Sequence, residues 1–222
     1  MKLRLFQTAF VVLWSAELFS SAGSLSWVRG WIYMGAGVVG MGGMALAVRR
    51  YNPGLFEARA KVHRKQMRTF DKVFMAIYVP LALLQAAIAG LDAVRFRWSS
   101  MPFAAAYAGV PLVLLGCAAM AWPMSVNPFA ENTVRIQTER GHTVVASGPY
   151  RFVRHPMYVG LILLFLGTPL ILGSWWALAD GAVIAVLFVW RTGMEDRTLR
   201  RELAGYEEFT MHTRYRLVPG LW

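Results

Sequence analysis

Six apolar runs divide the chain, at roughly 5–23, 31–48, 73–91, 102–126, 157–172 and 175–190, with polar residues gathered between them. A helix needs about 20 apolar residues, in a range near 17 to 25, to cross a bilayer core. The first four runs meet that length. The last two are short and separated only by Gly173-Ser174, which predicts a tight helical hairpin that need not cross as fully. The pattern therefore predicts an all-α polytopic membrane protein with about five to six transmembrane helices. Residues 1–126 supply four N-terminal spans. Residues 127–222 supply a polar loop, the C-terminal hairpin and a tail, with a pocket on the cytoplasmic side.

The charges orient this arrangement. Place the N-terminus, the 49–72 loop, the 127–156 loop and the tail on one side. That side then holds all of the 23 Lys and Arg residues except Arg29, Arg95 and Arg97. Basic residues collect on the cytoplasmic side of membranes, so both termini are expected there. The basic stretch 49–68 is read as an orientation signal. The opening MKLRLFQTAF has the basic start of a secretory signal, but Glu17 and the polytopic pattern that follows favour a retained first span.

Composition narrows the class. At 57% hydrophobic and 16% charged the chain is too apolar for a soluble domain of 222 residues. A net charge of +11 raises nucleic acid as a partner, but the cations lie between apolar runs rather than along one amphipathic face, which excludes it. Cys117 is alone, so no intramolecular disulfide forms. His63, His142, His155 and His212 lack the spacing of a zinc site, and no metal is expected. GAGVVGMGG at 35–43 offers small residues for close helix contact. Glu17 and Asp180 are carboxylates inside apolar runs. Such groups are costly and often functional, and equally can be protonated or paired with a neighbouring helix.

Two polar stretches exceed what anchoring requires. One is NPFAENTVRIQTERGHTVVASGPYRFVRHPMY, 127–158; the other is WRTGMEDRTLRRELAGYEEFTMHTRYRLVPGLW, 190–222. Gly148-Pro149 marks a turn. Pro156 after His155 opens a helix, whose free N–H groups at the interface suit an anion. Arg191 and Glu195 are four apart and share a helix face. A two-residue hairpin turn brings the far ends of its helices together, so His155 and Arg191 should be neighbours and the two stretches should close one pocket. Arg151, Arg154 and Tyr158 also have a plain reading as interfacial anchors.

VRIQTERGHTVVASGPYRFVRHPMYVG, the apolar hairpin, the charged helix from Arg191 to Glu195-Asp196 and the ending RLVPGLW together resemble the isoprenylcysteine carboxyl methyltransferase family. The likeness covers residues 127–222, and looser support comes from NPGLFEARAK upstream. The RHPMYVG segment after GPY is shared with phospholipid N-methyltransferases, and the tail is echoed in membrane sterol reductases. The resemblance implies S-adenosyl-L-methionine bound on the cytoplasmic side, S-adenosyl-L-homocysteine as its product, and a lipidic or prenylated acceptor entering from the bilayer. It assigns Gln137, His142, Thr143, Val144, Val145, Tyr150, His155, Pro156, Met157, Tyr158 and Glu195 to the cofactor, Glu195 through the amino group. Arg191 falls to the methyl acceptor as the catalytic position, and Arg154 is a second substrate-binding candidate. Asp196 stands where relatives often carry a second glutamate, which leaves its role open.

The chemistry agrees with that implication. The cofactor's amino-acid end needs a carboxylate and N–H donors, and a carboxylate acceptor is already ionised near neutral pH and needs no general base. An amine acceptor would first lose a proton, which draws attention to Glu17 and Asp180. Two further classes stay open: a reductase taking hydride from a nicotinamide cofactor, and a membrane protein that only binds at this pocket.

Overall fold

The computed structural model describes residues 2–60 and 67–222, with side chains from residue 11 onward. Met1, His63 and the centre of the basic loop lie outside the described residues. Among these residues the regular structure is helical, without strands: α1 (Lys2–Ala22), α2 (Val28–Tyr51), α3 (Leu55–Ala60), α4 (Thr69–Gly90), α5 (Ala105–Val126), α6 (Pro156–Leu172), α7 (Trp175–Glu202) and α8 (Tyr206–His212). A π-helical turn, Leu91–Phe96, prolongs α4.

Four of the described helices are long and apolar enough to cross a membrane: Val28–Tyr51, Thr69–Phe96, Ala105–Val126 and Trp175–Glu202. The sequence count of five to six also included α1, whose part from Val11 to Ala22 is apolar, and the shorter α6. With 17 residues, α6 rises about 26 Å, the lower limit for spanning. The other helix of the hairpin is longer than its apolar run predicted. The apolar run stops before Arg191, but the helical backbone of α7 continues to Glu202 and carries Arg191, Glu195 and Asp196 beyond it.

The hairpin turn is fixed by its own chemistry. Gly173 ends α6 at φ +83°, and a side chain there would also collide with the guanidinium of Arg29. Ser174 caps α7, its Oγ accepting the N–H of Ala177 at 3.0 Å. The same hydroxyl donates to Asp92 at 2.6 Å, and Asp92 accepts both the N–H and Oγ–H of Ser99. Asp92 thus anchors the turn at the end of the hairpin opposite the polar loop.

Close packing sets α6 in place against α5. A Cβ on Gly116 would lie 2.7 Å from the carbonyl oxygen of Gly160, and one on Gly160 would lie 2.6 Å from that of Gly116. One heptad away, Gly109 and Gly167 meet in the same fashion. The expected contact through 35–43 holds only in part. Gly37 packs on Trp14 and Gly40 on Cys117, whereas a Cβ added to Gly35, Gly42 or Gly43 would meet no other element within 4 Å. Towards the polar end, Phe74, Tyr158, Phe165 and Phe188 form a buried aromatic cluster joining α4, α6 and α7. On it the site is built.

Candidate active site

Where residues 127–158 meet the exit of α7 and the start of α8, a cleft encloses about 810 Å³ of atom-free space, counting the solvent at its mouth. Every residue named above for cofactor or acceptor lines this cleft except Gln137: His142, Thr143, Val144, Val145, Tyr150, Arg154, His155, Pro156, Met157, Tyr158, Arg191 and Glu195. Residues separated by 36 positions, His155 and Arg191, are brought to one space. His155 stacks parallel to Tyr158 with centroids 5.8 Å apart, and the guanidinium of Arg191 lies 5.3 Å from the same ring.

Arg191 and Glu195 do not pair with each other, despite sharing a helix face. The phenol of Tyr158 donates to the carboxylate of Glu195. Arg191 turns instead to Asp71 in the first turn of α4, its Nη2 lying 2.8 Å from Oδ1. Nη2 also donates to the carbonyl of Asn132 at 2.8 Å, and the guanidinium covers the Phe74 ring at 4.5 Å. The Nε–H of Arg191 is buried with no hydrogen-bond partner among the described residues. A buried donor left unpaired is costly, so such a group is a natural place to receive a ligand oxygen.

The RHP segment is held from behind. Arg154 and Asp196 are both buried. The arginine's Nε donates to Oδ1 at 2.7 Å and its Nη2 to Oδ2 at 3.3 Å, while Nη1 donates to the carbonyls of Thr213 and Arg214. All three nitrogens of Arg154, expected as a substrate contact, are therefore engaged within the protein. Asp196 also meets Arg216 at 3.0 Å, the Tyr206 hydroxyl at 3.2 Å and Nε2 of His155 at 3.5 Å. The N–H groups of Arg154 and His155 donate to the carbonyls of Tyr215 and Arg216, so the YR of the tail lies along the RH of the loop. Asp196, whose role the sequence left open, is the hub that fixes the cleft's entrance. Burial, and then the charge of Asp196, hold the Tyr206 phenol well above its ordinary range. It stays a donor.

On the loop side, Asn127 donates to the Tyr150 hydroxyl at 2.8 Å and turns its own Oδ1 to the N–H of Phe129. Burial raises the Tyr150 phenol above its usual range. The imidazole of His142 packs on the Phe129 ring with centroids 4.5 Å apart, and its Nδ1 accepts the N–H of Gln137. Burial, aided by Arg135 and Arg140, pushes His142 below its ordinary 6.5. Gln137 sits behind this wall, 1% exposed, its amide donating to the Phe129 carbonyl and accepting from Arg140. It supports His142 and does not reach the cleft. An apolar wall of Val144, Leu199, Leu203 and Phe209 completes the lining.

Asp71 and Leu203 were not singled out in the sequence, and Asn127 and Phe129 were noted only as part of the polar stretch 127–158. Asp71 alone left a signal: a carboxylate in the first turn of a span, beside a basic loop. Glu17 is half-buried and Asp180 buried, and neither lines the cleft. No group of three or more His, Cys, Asp or Glu side chains is placed to hold a metal ion among the described residues. No curated protein matches the chain. Residues 104–204, spanning α5 to the end of α7 and most of the cleft, match the family model for phospholipid methyltransferase, and this part of the chain is similar to that family of membrane methyltransferases.

Proposed function

We propose that the chain is an integral-membrane methyltransferase that takes its methyl group from S-adenosyl-L-methionine and delivers it to a lipidic acceptor at the cytoplasmic face. The observation that carries this reading is the convergence of Glu195, Tyr158, His155 and Arg191 on one cleft at the open end of the α6–α7 hairpin. The matched family supports methyl transfer.

The residues fit the cofactor. Its amino-acid end carries an ammonium, for which Glu195 is a carboxylate held in place by Tyr158. Val144, Leu199, Leu203 and Phe209 offer an apolar bed for a nucleoside. The bound cofactor supplies an electrophilic methyl group on a sulfonium, transferable by displacement without a metal. The protein's own contribution is placement and exclusion of water. His155 and Arg191 both contact the Tyr158 ring, and the unpartnered Nε–H of Arg191 offers a charge-assisted hydrogen bond to an anionic oxygen of the acceptor.

A prenylated cysteine carboxylate meets that requirement directly, because the reacting atom is itself the anionic oxygen. A second reading, favoured by the matched family, is a phospholipid whose phosphate takes the Arg191 position while its amine is methylated. Membranes holding the protein, given radiolabelled cofactor and a lipid extract, separate the two. A methyl ester releases its label as methanol in alkali and an N-methyl product keeps it. No protein-dependent label in any lipid fraction would remove the proposal.

A further inference from the structure

We infer that Asp71 is a positioning residue for methyl transfer: its carboxylate holds Arg191 at Nη2 so that the buried Nε–H keeps no internal partner and remains a donor for the acceptor's oxygen. The inference rests on the methyltransferase reading above and adds to it a residue from α4, outside the family-matched region.

Four observations support it. Asp71 is fully buried and Arg191 is 6% exposed, so this ion pair is not screened by water. Asp71 meets two donor groups: Arg191 Nη2 stands 2.8 Å from Oδ1 as an ion pair outside hydrogen-bond geometry, so Oδ1 has no hydrogen-bond partner among the described residues, and the Val134 N–H donates to Oδ2 at 2.9 Å. An asparagine whose one oxygen accepted the Val134 N–H would turn its NH2 towards Arg191 and bring no charge to hold it. The protein partners of the guanidinium, Asp71 and the Asn132 carbonyl, both meet Nη2. Its Cζ also lies over the Phe74 ring at 4.5 Å and the Tyr158 ring at 5.3 Å. The long side chain is thereby fixed in plane and direction with Nε–H unspent.

Since Asp71 cancels the charge of Arg191, its role is orientation rather than attraction of the acceptor. A group moved by about 1 Å loses on the order of a hundredfold in rate. Asp71→Asn should therefore lower kcat by about a hundredfold. The Kd for S-adenosyl-L-homocysteine should stay within about threefold of the parent, because Glu195 and Tyr158 are untouched.

The test is a double-mutant cycle on kcat with Asp71→Asn and Arg191→Ala. Detergent-purified full-length protein is assayed on vesicles carrying either a prenylated cysteine carboxylate or phosphatidylethanolamine, whichever accepts label. If Asp71 acts through Arg191, the double variant is no slower than Arg191→Ala alone. Asp71→Glu, which keeps both acceptor oxygens, recovers part of the rate; should Asp71→Asn fail to fold, the cycle is run with Asp71→Glu. Losses that multiply across the cycle, or an Asp71→Asn enzyme within twofold of the parent, overturn the inference. Failure of the parent protein to bind S-adenosyl-L-homocysteine overturns the methyltransferase reading first, and this inference with it.

Discussion

Arg154 and Asp196, 42 positions apart, form a buried two-pronged ion pair, Nε to Oδ1 at 2.7 Å and Nη2 to Oδ2 at 3.3 Å. This pair joins the mouth of α6 to the exit of α7, and through Arg216 and Tyr206 it also gathers in the tail. The hairpin turn sets the two helices side by side, and Asp196 locks their polar ends together.

Removing one member of a buried pair leaves a charge without compensation, at a cost of about 3–5 kcal/mol. Asp196→Ala leaves Arg154, Arg216 and the Tyr206 hydroxyl without their shared acceptor. It should lower the thermal midpoint of the detergent-solubilised protein by several degrees and loosen the tail to protease. Arg151→Ala, an exposed neighbour with no such partners, should leave both unchanged.

His142 gives a pH dependence of defined sign. Its pKa lies below the ordinary 6.5 in the folded chain, chiefly through burial. Well above 6.5 the folded and unfolded forms are both neutral, and pH has no effect through this group. As pH falls through 6.5 the unfolded chain takes up a proton that the folded chain resists, so stability drops until pH passes the folded value. Protonation also ends acceptance of the Gln137 N–H by Nδ1. Wild type should therefore lose thermal stability and cofactor affinity as pH falls through 6.5. His142→Asn, whose amide oxygen accepts without titrating, should show a flatter profile in both measurements.

The α5–α6 contact should tolerate no side chain. Gly116→Val places carbon against the Gly160 carbonyl, a backbone atom with nowhere to move, and overpacking of this kind costs about 1–3 kcal/mol or more. Folded yield and thermal midpoint should both fall. Gly42→Ala, with no atom within 4 Å of the new carbon, should leave them as they are.

Much of this architecture was legible in the sequence because bilayers impose simple rules. The apolar runs gave the long helices to within a few residues, apart from α7, which continues from the end of its run to Glu202. Gly173-Ser174 gave the hairpin turn, since few other pairs end one helix and cap the next. The pocket's own loop was legible from its density of polar residues between two apolar phases. What stayed hidden was pairing across distant elements. Arg191 and Glu195 share a helix face, yet each finds its partner elsewhere, in Asp71 on α4 and Tyr158 on α6. Local spacing says which residues can meet along one helix and nothing about a third helix packed over them. Arg154 read as an anchor or a substrate contact for the same reason, because its partner Asp196 lies on α7. The glycines at 35–43 attracted notice by clustering, while Gly116 and Gly160, each alone in its helix, make the tighter contact.

In the proposed cleft Glu195, steadied by Tyr158, receives the amino group of a methyl-donor nucleoside. Calorimetry of S-adenosyl-L-homocysteine with the detergent-purified protein tests this directly. The parent should bind with a Kd in roughly the micromolar range, Glu195→Gln should weaken binding by about ten- to a hundredfold through loss of one charge-assisted contact, and NADPH should give no heat of binding. Absence of S-adenosyl-L-homocysteine binding by the folded parent, or saturable binding of NADPH in its place, would contradict the account.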